Sequence, residues 1–220
     1  MTKSEQLQAI SNAVIEGELD DAVEATKAAL SENIDPMDIL NEGLMTGADE
    51  VGKRFERFEY FLPELMLAGR ALKGAMEEVK PALLSKYAGA TNQVQGKVVS
   101  ATVQTDIHDI GKNIVSSMLT ASGFEVTDMG VDVPLKSIID KAEEIGADVI
   151  CLSALLTTSM PFMKDLIKLL EARGIREKYI VLVGGASVNE TWAKAIGSDG
   201  TAKNAADAVK LAREKVQARK

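Results

Sequence analysis

Two spacings of apolar residues divide the chain. Up to about residue 90 they recur every three or four positions, as on one face of a helix. Beyond it they gather into short runs bounded by turn residues, as in buried strands, with helical stretches between. In the first part, Thr2 and Glu5 have the capping-box spacing that opens a helix, and Gly17 lies at or just past its end. A second helix is predicted from Leu19 to Ser31, with Leu19, Ala22, Val23, Thr26 and Leu30 on one face. Asp35-Pro36, an N-cap followed by proline at the first helical position, starts a third through Ile39, Leu40, Leu44 and Val51. Pro63-Glu64 begins a fourth carrying Leu65, Leu67, Leu72, Met76 and Val79, which Pro81 is expected to end or kink. Four helices with short connections predict a small bundle.

The second part alternates. Strands are predicted at Lys97–Val103, Phe124–Met129, Asp148–Leu152 and Tyr179–Val183, with a weak last one at Asp199–Ala202. Helices fall at Gly111–Ala121, Pro134–Ile145, Met160–Glu171 and Ala205–Ala218. Such alternation predicts a flavodoxin-like, Rossmann-like, doubly wound parallel sheet of five strands, so the fold class is α plus α/β. In this architecture ligands sit beyond the carboxyl ends of the strands, where strand order reverses. The small polar stretch Ala88–Gly96 reads as a linker, giving domains at 1–90 and 91–220.

Charge sharpens that division. The 220 residues carry a net charge of −8, from 25 Lys plus Arg and 33 Asp plus Glu. All of the excess lies in residues 1–90, with 9 basic and 17 acidic side chains, whereas residues 91–220 hold 16 of each. Without a basic footprint, nucleic acid is not an expected partner. A single cysteine, Cys151, and a single histidine, His108, exclude an internal disulfide and any zinc site built from several Cys and His ligands. Cys151 falls on a strand and reads as core, and most of the nine methionines read as filler. The first ten residues lack the apolar stretch of a secretory signal, and the apolar runs are too short to span a bilayer. A cytoplasmic protein with no membrane partner is therefore expected.

The candidate chemistry lies in three loops after strands. The first, Gln104–Lys112, places His108 between Asp106 and Asp109, with Gly111 opening the next helix. An imidazole there can bind a metal through one nitrogen while the other donates to Asp106, or it can simply be a solvated loop histidine. Gly111 leaves its backbone approachable. The second loop, Ser153–Ser159, carries four hydroxyls that can bind a polar ligand or cap the following helix. The third begins at Gly184-Gly185. Either glycine pair or histidine alone is weak evidence; their convergence on one sheet edge is stronger.

Asp106-x-His108-x-x-Gly111, then Ser153-x-Leu155, then Gly184-Gly185, in that order on that strand pattern, resembles the cobalamin-binding signature of the methionine synthase type. The likeness extends over the helical part, which is similar to that family's cap, and it is closest to the free-standing corrinoid proteins of methyltransferase systems. The resemblance implies cobalamin or a related corrinoid, with His108 as lower axial ligand to cobalt, Asp106 bonded to its ring and Ser159 completing a relay to solvent. It implies a slot for the displaced nucleotide tail, lined by Ser153, Leu155 and Thr157, with Gly184, Gly185 and Ala186 giving room. Four of the nine aromatic residues crowd into Phe55–Phe61. They can plug the bundle core, while the likeness puts Phe55, Leu62 and Leu65 over the corrin's upper face, to be moved aside about the linker. Thr201 stands where relatives often carry tyrosine, a departure in the loop near the tail.

No other catalytic constellation is present. The resemblance thus implies a methyl carrier that turns over little alone. Its partners would be a substrate:corrinoid methyltransferase, a corrinoid:thiol or corrinoid:tetrahydrofolate methyltransferase, and a reductive activase. The alternatives are a cobalamin-dependent sensor, whose usual DNA-binding module the acidic first part does not suit, and a flavin or receiver domain. A receiver needs an aspartate where this chain has Cys151-Leu152-Ser153, and a flavin would leave Asp106 and His108 unexplained.

Overall fold

The computed structural model describes residues 1–87 and 95–219, which form two compact units, Met1–Lys86 and Tyr87–Lys220. Most of the expected linker, and the boundary expected between residues 90 and 91, lie outside the described residues.

In the first unit the predicted capping box forms at the start of α1 (Lys3–Glu16), and Gly17 closes that helix in the left-handed conformation. Helix α2 (Leu19–Ser31) buries Ala22, Thr26 and Ala29. Asp35 caps α3 (Pro36–Asp38), which continues through a π-helical segment, Ile39–Met45, into α4 (Thr46–Glu56). The wider π turns carry Gly43, and Gly47 follows four residues later. A Cβ at Gly47 would sit 2.8 Å from the Ser11 carbonyl oxygen, so the missing side chain lets α1 lie close. Helix α5 (Leu62–Tyr87) runs through Pro81 and does not end there. The proline removes one N–H, but burial of Val79 and Leu83 on either side holds the helix together.

The second unit is a parallel sheet of β1 (Gly96–Thr102), β2 (Phe124–Asp128), β3 (Val149–Ser153) and β4 (Ile180–Gly184), ordered β2-β1-β3-β4. Val99, Ala101, Ile150, Leu152, Val181 and Val183 pack one face against α7 (Leu135–Ile145) and α8 (Met160–Ala172). The other face meets α6 (Ile110–Ala121) and α10 (Ala205–Gln217), with Ser116 Oγ bonded to Ser100 Oγ at 2.9 Å. Burial on both faces explains why the strands read as continuous apolar runs.

The expected fifth strand is reduced to one bridge, Leu182 with Gly200. Gly200 adopts φ +155, and the neighbouring Asp199 turns its carboxylate onto Val181 N and Arg176. The segment therefore grips the edge of β4 through a side chain as well as backbone, and the sheet has four strands. Two further short elements, a 3-10 turn at Arg176–Lys178 and α9 (Glu190–Ala195), were not expected from the pattern.

Strand order reverses between β1 and β3, so the loops beyond their carboxyl ends open the crevice where such folds bind ligands. The loop after β4 is fitted to this crevice. Gly185 has φ +124, and a Cβ there would lie 1.9 Å from the Ala154 carbonyl oxygen. Gly185→Ala is expected to destabilise the protein by about 1–3 kcal/mol from backbone strain alone, and more from the clash, as read by chemical denaturation.

Candidate functional site

Asp106 is fully buried although it lies in a loop, and its carboxylate is the centre of the site. Its Oδ2 accepts from Leu155 N at 2.8 Å and Leu156 N at 3.0 Å, both in the loop after β3. Its Oδ1 accepts from His108 N at 3.1 Å and faces His108 Nδ1 at 2.7 Å. Burial pushes the Asp106 carboxyl up, but the hydrogen bonds from Leu156 N, the His108 ring, His108 N and Leu155 N outweigh it and hold the group below its ordinary value.

The histidine follows from this arrangement. A carboxylate only accepts, so Nδ1 carries the proton and the neutral ring presents its lone pair at Nε2. The side chain is 48% exposed, and Nε2 takes no hydrogen bond among the described residues. Thr102 Oγ1 donates to the His108 carbonyl at 3.0 Å, fixing the backbone beneath the ring. Beyond it, Asp109, Asn113, Lys112 and Asp128 are linked in a row that ends in a lysine ion pair of 2.6 Å, with Lys112 buried. Asp109 is thus occupied with the start of α6.

The other expected residues divide. Gly111 and Gly184 open onto space in which an added Cβ would meet nothing within 4 Å, whereas Gly185 is needed by the chain's own packing on Ala154. Ala186 and Thr157 are exposed, and Ser153 and Leu155 are half-buried. Leu155 contributes through its backbone: its carbonyl accepts from Ser187 Oγ at 2.5 Å, tying the loop after β4 to the loop after β3. Ser159 is fully buried and makes no side-chain cap for α8. Its hydroxyl lies 3.1 Å from Thr105 Oγ1, and none of the four bonds to Asp106 comes from it.

In the first unit, Tyr60 and Leu65 pack on the small core of Ile15, Val51 and Ala68. Tyr60 is held by Arg54, which donates to its hydroxyl at 2.8 Å, while that hydroxyl donates to the Ile15 carbonyl. Phe55, Phe58, Phe61 and Leu62 remain exposed. Cys151 sits within the sheet, where burial pushes its thiol up to about 12, so it is neither thiolate nor ligand at neutral pH.

No cluster of three or more His, Cys, Asp or Glu side chains able to hold a metal occurs among the described residues. One free imidazole nitrogen fits a metal that arrives with most of its ligands already attached. The open backbone at Gly111 and Gly184 fits a large group carrying that metal. Together they suit a corrinoid, whose ring supplies the remaining donors. No helix among the described residues is long and apolar enough to cross a membrane.

Sequence reasoning missed Thr105, Asp132, Leu156 and Ser187. Only the loops after β1, β3 and β4 stood out by composition. Asp132, in the loop after β2, becomes a neighbour only once β2 is known to lie beside β1.

Comparison with known proteins shows the family of the chain. A family model described as a B12 binding domain matches residues 96–210, and a second of the same description matches residues 6–80. The chain is 44% identical over 214 residues to Dimethylamine corrinoid protein 1 of Methanosarcina acetivorans, covering 97% of this chain and 99% of the relative. It is 42% identical to the Dimethylamine corrinoid protein of Methanosarcina barkeri, again with 97% and 99% covered. Among solved structures, the monomethylamine corrinoid protein of Methanosarcina barkeri superposes with a TM-score of 0.87 at 36% identity, covering 97% of this chain and all of that one. The methanol:cobalamin methyltransferase complex MtaBC of the same organism matches with a TM-score of 0.54 at 33% identity, covering 97% of this chain and 80% of that one.

All four partners of the Asp106 carboxylate are donors, so an amide NH2 in its place must face an N–H. Asp106→Asn is expected to cost about 1–3 kcal/mol of stability at neutral pH. Because the native value of Asp106 is depressed, its contribution is complete above the ordinary value of 3.8 and is lost as pH falls below it, through the native value. The part of the gap between wild type and variant that comes from the Asp106 charge should close in urea denaturation as pH falls below 3.8.

Proposed function

Since the chain belongs to the B12-binding corrinoid proteins that serve methyltransferases, we propose that it is a methyl carrier whose single histidine is the lower axial ligand of the corrinoid. Its cofactor is cobalamin or a related corrinoid. The observation that carries the axial assignment is the half-exposed His108 ring, anchored through Nδ1 to buried Asp106, with Nε2 taking no hydrogen bond among the described residues.

When bound, the corrinoid supplies the cobalt that accepts and gives up the methyl group. The residues of this chain do the rest. His108 Nε2 would supply a nitrogen donor to the cobalt. Asp106 keeps the proton on Nδ1, so the donor atom is unprotonated, and it raises the basicity of the ring. The open backbone at Gly111 and Gly184 admits the cofactor, with Ser153, Leu155, Thr157 and Ala186 assigned to its tail. Ser159 acts through Thr105 on the loop that bears the histidine. Phe55 and Leu62, exposed on the helical unit, would shield the bound group from water, and Leu65 would support them from the small core.

A substrate:corrinoid methyltransferase loads the carrier, and a second methyltransferase passes the group to a thiol or tetrahydrofolate. A reductive activase restores carriers that have been oxidised. Relatives named for dimethylamine and monomethylamine make a methylated amine the donor to test first.

The chain alone should transfer no methyl group. With a partner methyltransferase and a methylated amine, the visible spectrum should change at a rate set by the partner; failure with every donor and partner would remove the carrier reading. His108→Gln should shift the visible spectrum of bound methylcobalamin to that of a form without the protein base, and an unchanged spectrum would show the axial assignment to be wrong. Phe55→Ala should speed photolysis of bound methylcobalamin, and an unaltered rate would count against a covering role.

A further inference from the structure

Two residues with side chains adopt the left-handed backbone conformation at the crevice, Thr105 at φ +69 and Asp132 at φ +53. That conformation is costly for residues other than glycine and persists only where surrounding bonds impose it. Here each holds the other. Asp132 Oδ1 accepts from Thr105 N at 2.7 Å, and Asp132 N donates to the Asp106 carbonyl at 2.9 Å. One residue from the loop after β2 therefore grips the Thr105–Asp106 peptide from both ends. Just beyond it, Val133 N donates to Thr102 O, which anchors the clamp to the end of β1.

We propose that Asp132 is a positioning residue for the axial histidine. It makes no hydrogen bond to the imidazole among the described residues, and acts by fixing the backbone on which Asp106 and His108 are mounted. The carboxylate of Asp106 fixes the ring relative to the loop after β3, and the carboxylate of Asp132 fixes Thr105, the residue before Asp106, relative to the loop after β2. Without the Asp132 carboxylate, Thr105 is no longer held in its left-handed conformation, the segment 104–109 can shift while keeping its Asp106 bonds, and Nε2 loses its fixed reach. The strength of the nitrogen–cobalt bond then falls although both ligand residues remain. The inference rests on the reading of His108 as lower ligand.

The chain contains one histidine, so isotopic labelling reports on that residue alone. The full chain is loaded with hydroxocobalamin, reduced to the cobalt(II) state and examined by electron paramagnetic resonance. An axial nitrogen splits the cobalt lines into triplets, which become doublets when the protein is made with [15N]histidine. Asp132→Gly deletes the carboxylate and relaxes the backbone, and Asp132→Asn keeps an accepting oxygen without the charge. In Asp132→Gly the ratio of histidine-ligated to unligated cobalt should fall by about tenfold, the low end of the effect of losing a group bonded directly to a metal ligand, because Asp132 acts one residue removed from that partner. Asp132→Asn should restore the wild-type ratio. A wild-type ratio in Asp132→Gly overturns the inference, as does an Asp132→Asn spectrum like that of Asp132→Gly, which would make charge rather than position the cause. If Asp132→Gly does not fold, Asp132→Ser, too short to reach Thr105 N, is read in its place by the same criteria. A wild-type spectrum indifferent to the label would instead overturn the assignment of His108, so the two failures are distinct.

Discussion

A carboxylate buried without a cation fixes the arrangement of the whole crevice. Moving an unpaired charge out of water is expensive unless hydrogen bonds replace its hydration. Asp106 meets that demand with three backbone N–H groups and one imidazole N–H. To supply them, the loop after β1 must fold back on itself and the loop after β3 must turn its backbone toward it. The same carboxylate then dictates the tautomer of His108. Stability of the loop and the tautomer of the ring rest on one interaction.

Around that centre the remaining loops are joined in series. Ser187 fastens the loop after β4 to Leu155, Gly185 lets it pass beneath Ala154, and Asp132 fastens the loop after β2 to the Asp106 carbonyl. Loops from all four strands thus converge on a few backbone atoms. The helical unit is organised differently: its aromatic cluster splits between Tyr60, locked inward by Arg54 and the Ile15 carbonyl, and phenylalanines left facing outward.

Much of this could be read from the chain because it is local. The capping box of Thr2 and Glu5, the Asp35-Pro36 helix start and the Asp106–His108 pair all depend on residues within a few positions of one another. What could not be read depends on folding. Ser159 looks like a helix cap by position, yet its hydroxyl turns to Thr105, 54 residues earlier. The segment at Asp199 has strand-like neighbours, but its carboxylate competes for the edge of β4 and leaves one bridge. Pro81 signals a helix end, but the buried residues flanking it outweigh one lost hydrogen bond. Gly185 read as room for a ligand, and only the Ala154 carbonyl reveals that the chain itself fills that space.

The bonds that hold Asp106 from other loops come from main-chain atoms, at Leu155, Leu156 and Asp132. Every residue except proline offers the same N–H. The side chains at positions 155 and 156 can therefore be exchanged without loosening the anchor of the histidine. Substitution in that loop can reshape the walls of the crevice, while the fixture beneath stays as it is. The anchor of the ring and the lining of the crevice share a few residues, yet they can diverge independently.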